Sequence, residues 1–187
     1  DNVCKQLHMP LQAGNSRVLR KMNRTYTQEE FVDLVKHVRS VIPDIVITTD
    51  IIVGFPTETD EEFEDTYNVM KEVEFDSAFI YKYSERPGTL ASRRIPDDVP
   101  EAIKTERIVR LNELQKATSM TKNNAHLGEK QLILIEEESS KKNPHLAVGR
   151  NDGNKLVLVE RSDFKAGDYV LATVYEASPH NLKAKCD

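Results

Sequence analysis

The sequence predicts an α/β protein in which a partial (β/α) barrel of TIM type is followed by a small, OB-like antiparallel β-barrel. Residues 1–125 alternate apolar strands with amphipathic helices at the interval of stacked βαβ units. From residue 126 onward, short strands separated by turn signals replace this alternation. We therefore predict two domains, residues 1–125 and 126–187.

Composition and charge limit the classes of function. The 187 residues are 39% hydrophobic and 30% charged, which is typical of a folded globular protein. No apolar run approaches the roughly 20 residues of a membrane helix, so we expect no membrane partner. The formal net charge of −5 indicates that any RNA contact is local. Two cysteines, Cys4 and Cys186, are too few for a metal cluster and favour the reducing cytoplasm.

The first elements along the chain are a short strand and two helices. The segment LHMPLQAGN predicts a strand that ends at Pro10, and NSRVLRKMNR has the apolar spacing of a short helix. The segment TYTQEEFVDLVKHVRSVIP predicts a second helix, which begins with a capping box of Thr27 and Glu30 and ends before Pro43. We expect its buried stripe to comprise Phe31, Leu34, Val35, Val38 and Ile42. The basic residues of the first helix indicate a solvated face or, alternatively, a local RNA contact.

A buried strand and a third helix follow. Residues 45–55 are apolar on both faces, which is typical of a parallel strand covered on both sides. The segment TDEEFEDTYNVMKEV predicts a helix opened by a capping box of Thr59 and Glu62, and FDSAFIYKYS predicts the next strand. In stacked βαβ units the ligand site lies where strands lead into helices, and the segments 54–58 and 84–89 fall at that position.

Asp50 is an acidic residue inside the apolar run. A carboxylate in a barrel interior is costly unless it is paired, so we expect it to meet a bound cation, a donor-rich ligand or a neighbouring basic side chain. The alternative is a structural role, in which Asp50 anchors the loops above it by hydrogen bonds.

The longest predicted helix lies in DDVPEAIKTERIVRLNELQKATSMTKNNAHLG, with Pro100 near its first turn and Gly128 at its end. We expect its apolar stripe to comprise Ile103, Ile108, Leu111, Leu114 and Thr118. Five short strands then alternate with turns such as Asn151-Asp152-Gly153. Basic residues in this part either line an RNA-binding face or serve solubility. They include Lys141, Lys142, Arg150, Lys155, Lys183 and Lys185.

Four segments in order carry a family resemblance: LHMPLQAGNSRVLRKMNRTYT, TTDIIVGFPTETDEEFEDT, FDSAFIYKYSERPGT and the closing small β-domain. Together they resemble the radical S-adenosylmethionine methylthiotransferases, and most closely the MiaB-type enzymes that act on tRNA. The resemblance covers nearly the whole chain. It implies a radical S-adenosylmethionine barrel followed by a TRAM domain that binds RNA.

The resemblance also implies a reaction. Enzymes of this type install a 2-methylthio group on N6-isopentenyladenosine next to the anticodon, and their partner is the anticodon stem-loop of tRNA. Their cofactors are S-adenosyl-L-methionine and two [4Fe-4S] clusters. Alternative readings are a methylthiotransferase for threonylcarbamoyladenosine or for a ribosomal protein, and a non-catalytic TRAM-type RNA-binding protein.

One departure from the family pattern concerns the clusters. The sequence has no CxxxCxxC motif and lacks the cysteines of the auxiliary cluster, although thiolates are what hold such clusters. Its first residue is Asp1, with no basic and apolar leader after it. We therefore expect a carboxy-terminal part of the enzyme that ligates no metal, is inactive alone, and has the amino-terminal part of the same protein as a partner. An unpaired strand edge of a half barrel would favour association with other chains.

The matching positions imply site residues. Arg24 presents a bidentate fork suited to the cofactor carboxylate, and Gly54 allows close backbone approach. The implied cofactor-binding residues are Gln12, Gly14, Arg24, Asp50, Val53, Gly54 and Tyr83. The implied substrate-binding residues are Arg86, Gly88, Lys141, Arg150 and Lys155. Ala13 and Asn15 replace serines of the family pattern, and Thr57 replaces a glycine, which predicts a stiffer loop.

Overall fold

A computed structural model describes residues 3–89, 92–93, 95–141, 143–160 and 163–186. The chain divides into two compact units, one formed by residues 7–115 and the other mainly by residues from 116 onward. The first unit is α/β and the second is a closed β-barrel, so the predicted fold class is confirmed.

The first unit contains a three-stranded sheet and its helices. Its elements are β1 (Gln6–His8), α1 (Ser16–Lys21), α2 (Gln28–Val41), β2 (Val46–Val53), α3 (Asp60–Val73), β3 (Ser77–Lys82) and the first part of α4 (Glu101–Asn124). The strand order is β1-β2-β3. Strands β2 and β3 are parallel, with Thr48 opposite Ser77 and Val53 opposite Lys82, which confirms the parallel βαβ arrangement.

The capping boxes predicted for α2 and α3 are both present. Thr27 accepts a hydrogen bond from the backbone N–H of Glu30, whose carboxylate accepts one from the N–H of Thr27. Thr59 and Glu62 make the same reciprocal pair at α3. Each pair satisfies two backbone donors that would otherwise lack partners, which fixes where the helix begins.

The core of the first unit lies on one face of the sheet. Alternate β2 residues point into it, and α2, α3 and α4 supply the rest. Its members include Ile47, Ile51, Val53, Phe31, Val35, Phe63, Met70, Phe75 and Leu111. The predicted buried stripe of α2 is wrong for Leu34 and Ile42, which are exposed. Val32, which was not predicted, is buried instead.

The other face of the sheet is more open than predicted. Thr48, Asp50 and Ile52 are only half-buried, and Phe79 and Tyr81 are each 54% exposed. The expectation of a strand covered on both sides is therefore wrong for the residues that the structure describes. The helices of this unit cover only the face that carries Ile47 and its alternate neighbours.

The buried side of α4 is mainly polar, which the apolar spacing did not predict. Of the expected stripe, only Leu111 is fully buried, while Ile108 and Leu114 are partly buried. Polar side chains take the other inward positions because each has a partner; Gln115 Nε2, for example, donates to Phe75 O at 2.8 Å. The inward polar residues are Lys104, Arg107, Gln115, Ser119 and Asn123. The helix ends at Asn124, before the predicted Gly128.

The second unit is a five-stranded barrel of β4 (Lys130–Glu137), β5 (Leu146–Arg150), β6 (Leu156–Glu160), β7 (Tyr169–Ala177) and β8 (Leu182–Lys185). It closes in the order β4-β5-β6-β8-β7. All neighbours are antiparallel except β6 and β8, which are parallel. A closed ring with an odd number of strands cannot alternate direction throughout, so one parallel pair is required. The predicted small, OB-like antiparallel barrel is therefore confirmed, with β6 and β8 as a parallel pair among the described strands.

Two further expectations from the sequence concern the cysteines and membrane-spanning helices. Cys4 and Cys186 are both free and exposed. Within the described residues, no helix is both long enough and apolar enough to cross a bilayer.

Candidate cofactor pocket

A cavity of about 730 Å³ lies in the first unit at the carboxyl ends of β2 and β3. This volume is in the range of small-molecule sites, and the carboxyl ends of parallel strands are where α/β folds bind ligands. The lining residues are Gln12, Lys21, Met22, Asn23, Arg24, Asp50, Ile52, Phe55, Tyr81, Lys82, Tyr83, Ser84, Arg86 and Thr89.

Gln12 is held at the cavity by its own backbone. Its N–H donates to Asp50 O at 2.8 Å, and its carbonyl accepts from the N–H of Ile52 at 2.9 Å. The residue has φ +69°, in the left-handed region that side chains rarely adopt. The two backbone bonds to β2 stabilise this conformation and fix the position of the side chain.

Asp50 has the basic neighbour that its position required. His8 Nε2 lies 3.3 Å from Asp50 Oδ2, and His8 Nδ1 lies 2.9 Å from Thr48 Oγ1. Because an ionised carboxylate can only accept, the proton lies on Nε2. The Asp50 side chain remains 33% exposed, so it faces the cavity as well as His8. The sequence analysis missed His8, although β1 supplies it at the same sheet face.

Phe55 and Tyr83 form an aromatic pair at the cavity. Their ring centroids are 5.2 Å apart at an interplanar angle of 76°, which is an edge-to-face contact. The N–H of Tyr83 donates to Val53 O at 2.8 Å, so the strand end positions the ring. Burial raises the pKa of Tyr83, and the nearby carboxylates of Glu85 and Asp97 raise it further. Its hydroxyl therefore stays protonated near neutral pH.

Basic side chains outnumber acidic ones at the cavity, where Asp50 is the acidic lining residue. Lys82 is engaged elsewhere, since its Nζ lies 2.6 Å from Glu101 Oε1. Among the described residues, neither Arg24 nor Arg86 has an ion-pair partner. Two guanidinium groups thus face one cavity with their charges available to an anion.

The loop that follows β2 is fixed by charged side chains. Gly54 N–H donates to Glu58 Oε2 at 2.6 Å, and the same oxygen accepts from Arg107 Nη1 at 2.7 Å. Burial raises the pKa of Glu58, while the Gly54 and Arg107 contacts oppose that rise. Thr57 has φ +71°, and its carbonyl accepts from Arg17 Nη2 at 2.7 Å.

Comparison with protein families assigns both parts of the chain. The model of the radical SAM superfamily matches residues 1–70, and the model of the TRAM domain matches residues 125–186. The chain thus carries a radical SAM part and a TRAM domain. Its resemblance to radical S-adenosylmethionine methylthiotransferases is confirmed by relatives that cover almost all of it.

Three such relatives are tRNA-2-methylthio-N(6)-dimethylallyladenosine synthases. Those of Azobacteroides pseudotrichonymphae and Caldicellulosiruptor saccharolyticus are 44% and 46% identical, each over 97% of this chain and 40% and 38% of their own length. That of Pelotomaculum thermopropionicum is 45% identical over 92% of this chain and 38% of its own length. The chain thus spans about 40% of the length of these relatives.

A solved structure shows the same fold. Coproporphyrinogen III oxidase HemN from Escherichia coli, described as a radical SAM enzyme, has a TM-score of 0.51 and 18% sequence identity. The match covers 84% of this chain and 41% of that one. At this identity the likeness supports the barrel-type architecture alone.

The radical SAM part brings five of the residues implied by the resemblance to one cavity: Gln12, Arg24, Asp50, Tyr83 and Arg86. Gln12, Arg24, Tyr83 and Arg86 each follow a strand or a helix at the same edge of the sheet, and Asp50 lies in the second half of β2. The alternation of β2 and β3 also places Ile52 and Tyr81 on the face of Asp50, a signal that sequence analysis had not used.

Four implied residues of the radical SAM part are not among those that line the cavity. Val53 is fully buried in the core. A Cβ on Gly14 would lie 2.4 Å from Thr66 Cα, so this glycine serves contact with α3. A Cβ on Gly54 would lie 2.3 Å from Lys104 Cγ, so the close approach predicted at Gly54 is that of Lys104. Gly88 lies in an exposed turn.

The implied RNA-binding residues of the TRAM domain differ in their surroundings. Lys141 is exposed. Arg150 Nε lies 3.2 Å from Glu136 Oε2, and its Nη1 donates to Asn154 O at 3.0 Å. Lys155 Nζ donates to Asn123 Oδ1 at 3.0 Å. Arg150 and Lys155 therefore also hold local structure within this unit.

Potential metal ligands are scattered over the part of the chain that the structure describes. No three His, Cys, Asp or Glu side chains in that part of the chain are grouped so that they could hold a metal ion. The two cysteines are Cys4 and Cys186, which are far apart in the sequence. Iron–sulfur clusters are held mainly by cysteine thiolates, and the sequence contains two cysteines.

Proposed function

We propose that this chain is the part of a tRNA methylthiotransferase that forms one side of the S-adenosylmethionine pocket and carries the TRAM domain. The observation that supports it most is the convergence of Arg24, Asp50 and the aromatic pair on one cavity of ligand size. The identity of 44–46% to synthases of 2-methylthio-N6-dimethylallyladenosine favours an isopentenylated adenosine of tRNA as the substrate.

The lining residues fit the cofactor by charge and shape. Arg24 is suited to the carboxylate of S-adenosylmethionine, because a guanidinium binds a carboxylate through two parallel hydrogen bonds. Asp50 is suited to accept hydrogen bonds from ribose hydroxyls, since His8 orients one of its oxygens. The Phe55–Tyr83 pair offers an apolar surface to the adenine. When bound together with a reduced iron–sulfur cluster, S-adenosylmethionine would supply the chemistry that removes hydrogen from the substrate, and Arg24 and Asp50 would hold the cofactor in place.

Arg86 supports a contact with the substrate RNA. Its side chain is exposed at the cavity rim, and it has no ion-pair partner among the described residues. A phosphate of the nucleotide that enters the cavity is the anion expected there, because RNA backbones offer one charge per nucleotide. The TRAM domain, with Lys141, Arg150 and Lys155 on its surface, would hold the anticodon stem-loop.

The open face of the sheet supports a partner within the same enzyme. Phe79 and Tyr81 are exposed on the side of β3 that faces away from the helices. We assign this face to the remaining strands of the barrel, which belong to the part of the relatives that this chain does not span. Both [4Fe-4S] clusters are placed on that part as well, and the cytoplasm is the proposed compartment. We propose that the boundary between the radical SAM part and the TRAM domain lies near residue 126.

The test replaces Asp50 by Asn in the complete enzyme. We expect the 2-methylthio group on isopentenyladenosine to be lost from tRNA, measured by mass spectrometry of digested tRNA, while the affinity for tRNA stays unchanged. Equal loss of both, or of neither, would contradict the role of Asp50.

Two further outcomes of the same mass spectrometry decide the substrate. Loss of the mark from threonylcarbamoyladenosine would assign the alternative tRNA substrate. An unchanged tRNA profile with an unmodified ribosomal protein would assign the protein substrate.

A further inference from the structure

Lys104 of α4 is buried behind the lining of the cavity. Its side chain is 4% exposed, which is rare for lysine because the ammonium group loses its hydration. The side chain lies against Gly54, where any Cβ would overlap Lys104 Cγ. Lys104 is not itself a lining residue.

Asp97 makes this burial tolerable. Lys104 Nζ donates to both carboxylate oxygens of Asp97, at 2.7 and 2.6 Å. The Asp97 side chain is 29% exposed, so its carboxylate reaches water, while the Lys104 side chain is surrounded by protein. Two short charge-assisted bonds fix the position of the ammonium group.

The fixed ammonium group lies over an aromatic ring of the cavity. Its nitrogen is 5.5 Å from the centroid of the Tyr83 ring, within the range of a cation–π contact. Tyr83 contacts Phe55 edge to face on the cavity side. Lys104 and Phe55 thus both contact Tyr83, and the ring has little freedom to move.

We propose that Lys104 is a positioning residue, which fixes the Tyr83 ring against Phe55 and thereby sets the shape of the cavity. Gly54 belongs to the same arrangement, because its missing side chain leaves the space that the Lys104 stem occupies. The proposal about Tyr83 stands on this geometry alone. Its consequence for S-adenosylmethionine rests on the function proposed above.

The first experiment measures the position of the ring without any ligand. In the 187-residue chain, nuclear Overhauser contacts between the Tyr83 and Phe55 rings are recorded for the wild type and for Lys104→Met. Methionine keeps the length and apolar stem of lysine and removes the charge. We expect the contacts to be present in the wild type and lost in the variant. Contacts that persist in Lys104→Met would overturn the proposal.

Arg110→Met is the matched control. Arg110 is also on α4, forms an ion pair with Glu64 at 2.6 Å, and lies 5.2 Å from the centroid of the Tyr67 ring. Its replacement removes an ion pair and two cation–π contacts, with Phe63 and Tyr67, away from Tyr83. We expect it to leave the Tyr83–Phe55 contacts unchanged, and their loss in this variant would contradict a specific role of Lys104.

The second experiment measures affinity in the complete enzyme. We expect the Kd for S-adenosylmethionine to rise about tenfold in Lys104→Met and less than about twofold in Arg110→Met. If the ring contacts are lost but the wild type does not bind S-adenosylmethionine, the proposed function fails and the positioning role stands. If the wild type binds and both variants bind equally well, the positioning role fails.

Asp97→Asn decides the matter if Lys104→Met does not fold. This variant keeps the shape of the side chain and removes the charge that holds the ammonium group. We expect weakened Tyr83–Phe55 contacts and a rise in Kd of about threefold. Unchanged contacts and unchanged affinity would overturn the proposal.

Discussion

The Nε2 atom of His8 in β1 lies 3.3 Å from Oδ2 of Asp50 in β2. The two residues are 42 positions apart in sequence, but their strands are neighbours in the sheet. The pair occurs on the sheet face that opens to the cavity, and the Thr48 hydroxyl donates to the other ring nitrogen, Nδ1. Its chemistry is that of an oriented carboxylate, in which the imidazole determines which oxygen is left for a ligand.

Replacement of His8 should weaken cofactor binding. In the complete enzyme, we expect His8→Ala to raise the Kd for S-adenosylmethionine about three- to tenfold, since one charge-assisted hydrogen bond to Asp50 is lost. His8→Gln should recover much of the affinity, because its amide nitrogen can reach the position of Nε2. Isothermal titration calorimetry measures both. Equal affinity of the alanine variant and the wild type would contradict the role of His8.

Thr57 is the site of a stabilising substitution. A β-branched residue at φ +71° is strained, whereas glycine adopts this conformation freely. We expect Thr57→Gly to raise the free energy of unfolding by about 1 kcal/mol, measured by urea denaturation followed by the helical circular dichroism signal. Glu61→Gly, in the first turn of α3, is the control and should lower it by about 1 kcal/mol. A loss of stability in both variants would contradict this prediction and show that the contacts of the Thr57 hydroxyl with Lys21 and Arg17 outweigh the backbone strain.

Glu62 should make stability depend on pH. Its contact with Arg17 lowers the pKa of Glu62, and the backbone N–H of Thr59 lowers it further. A carboxyl with a lowered pKa in the folded state contributes stability above its ordinary pKa and loses it as the pH falls through the lowered value. Glu62→Gln should therefore be less stable than the wild type at neutral pH, with a difference that shrinks in acid. Urea denaturation across this range measures it.

The control for that pH dependence is Arg17→Gln. Removing the guanidinium removes the main cause of the lowered pKa, so the acid-dependent loss of stability should shrink in this variant too. An Arg17→Gln variant with the full pH dependence of the wild type would contradict the assignment to this pair.

Arg107 should be more important for stability than its neighbour Arg110. The Arg107 and Glu58 side chains are 5% and 1% exposed, so removing one leaves a buried charge without its partner. We expect Arg107→Met to lower the free energy of unfolding by about 3 kcal/mol. Arg110→Met, at a side chain 37% exposed, should cost less than about 1 kcal/mol. Equal costs, measured by urea denaturation, would contradict a dominant role of the buried pair.

Local sequence signals predicted the elements well. The capping boxes of α2 and α3 involve residues three apart, so the sequence alone determines them. The polar buried side of α4 could not be predicted in this way. Arg107 and Glu58 are 49 residues apart, and only the folded chain shows that a charged residue has a partner and can be buried.

The candidate site was predicted in part, for a similar reason. Arg24, Asp50 and Tyr83 were identified because their positions match the family pattern, and the fold brings them to one cavity at the carboxyl ends of β2 and β3. Gly54 was expected to allow close approach of the cofactor, whereas the group that lies against it in the structure is Lys104, whose position depends on α4. A glycine pattern indicates that space is needed and does not identify which group uses it.

The position of β8 in the small barrel has a consequence for its biosynthesis. Because β8 lies between β6 and β7, the ring has a gap until Leu182–Lys185 are in place. During translation these residues leave the ribosome after the other four strands, so closure must wait for them. We therefore expect a nascent chain stalled before residue 182 to expose the edges of β6 and β7 to chaperones, and the emergence of β8 to complete the ring.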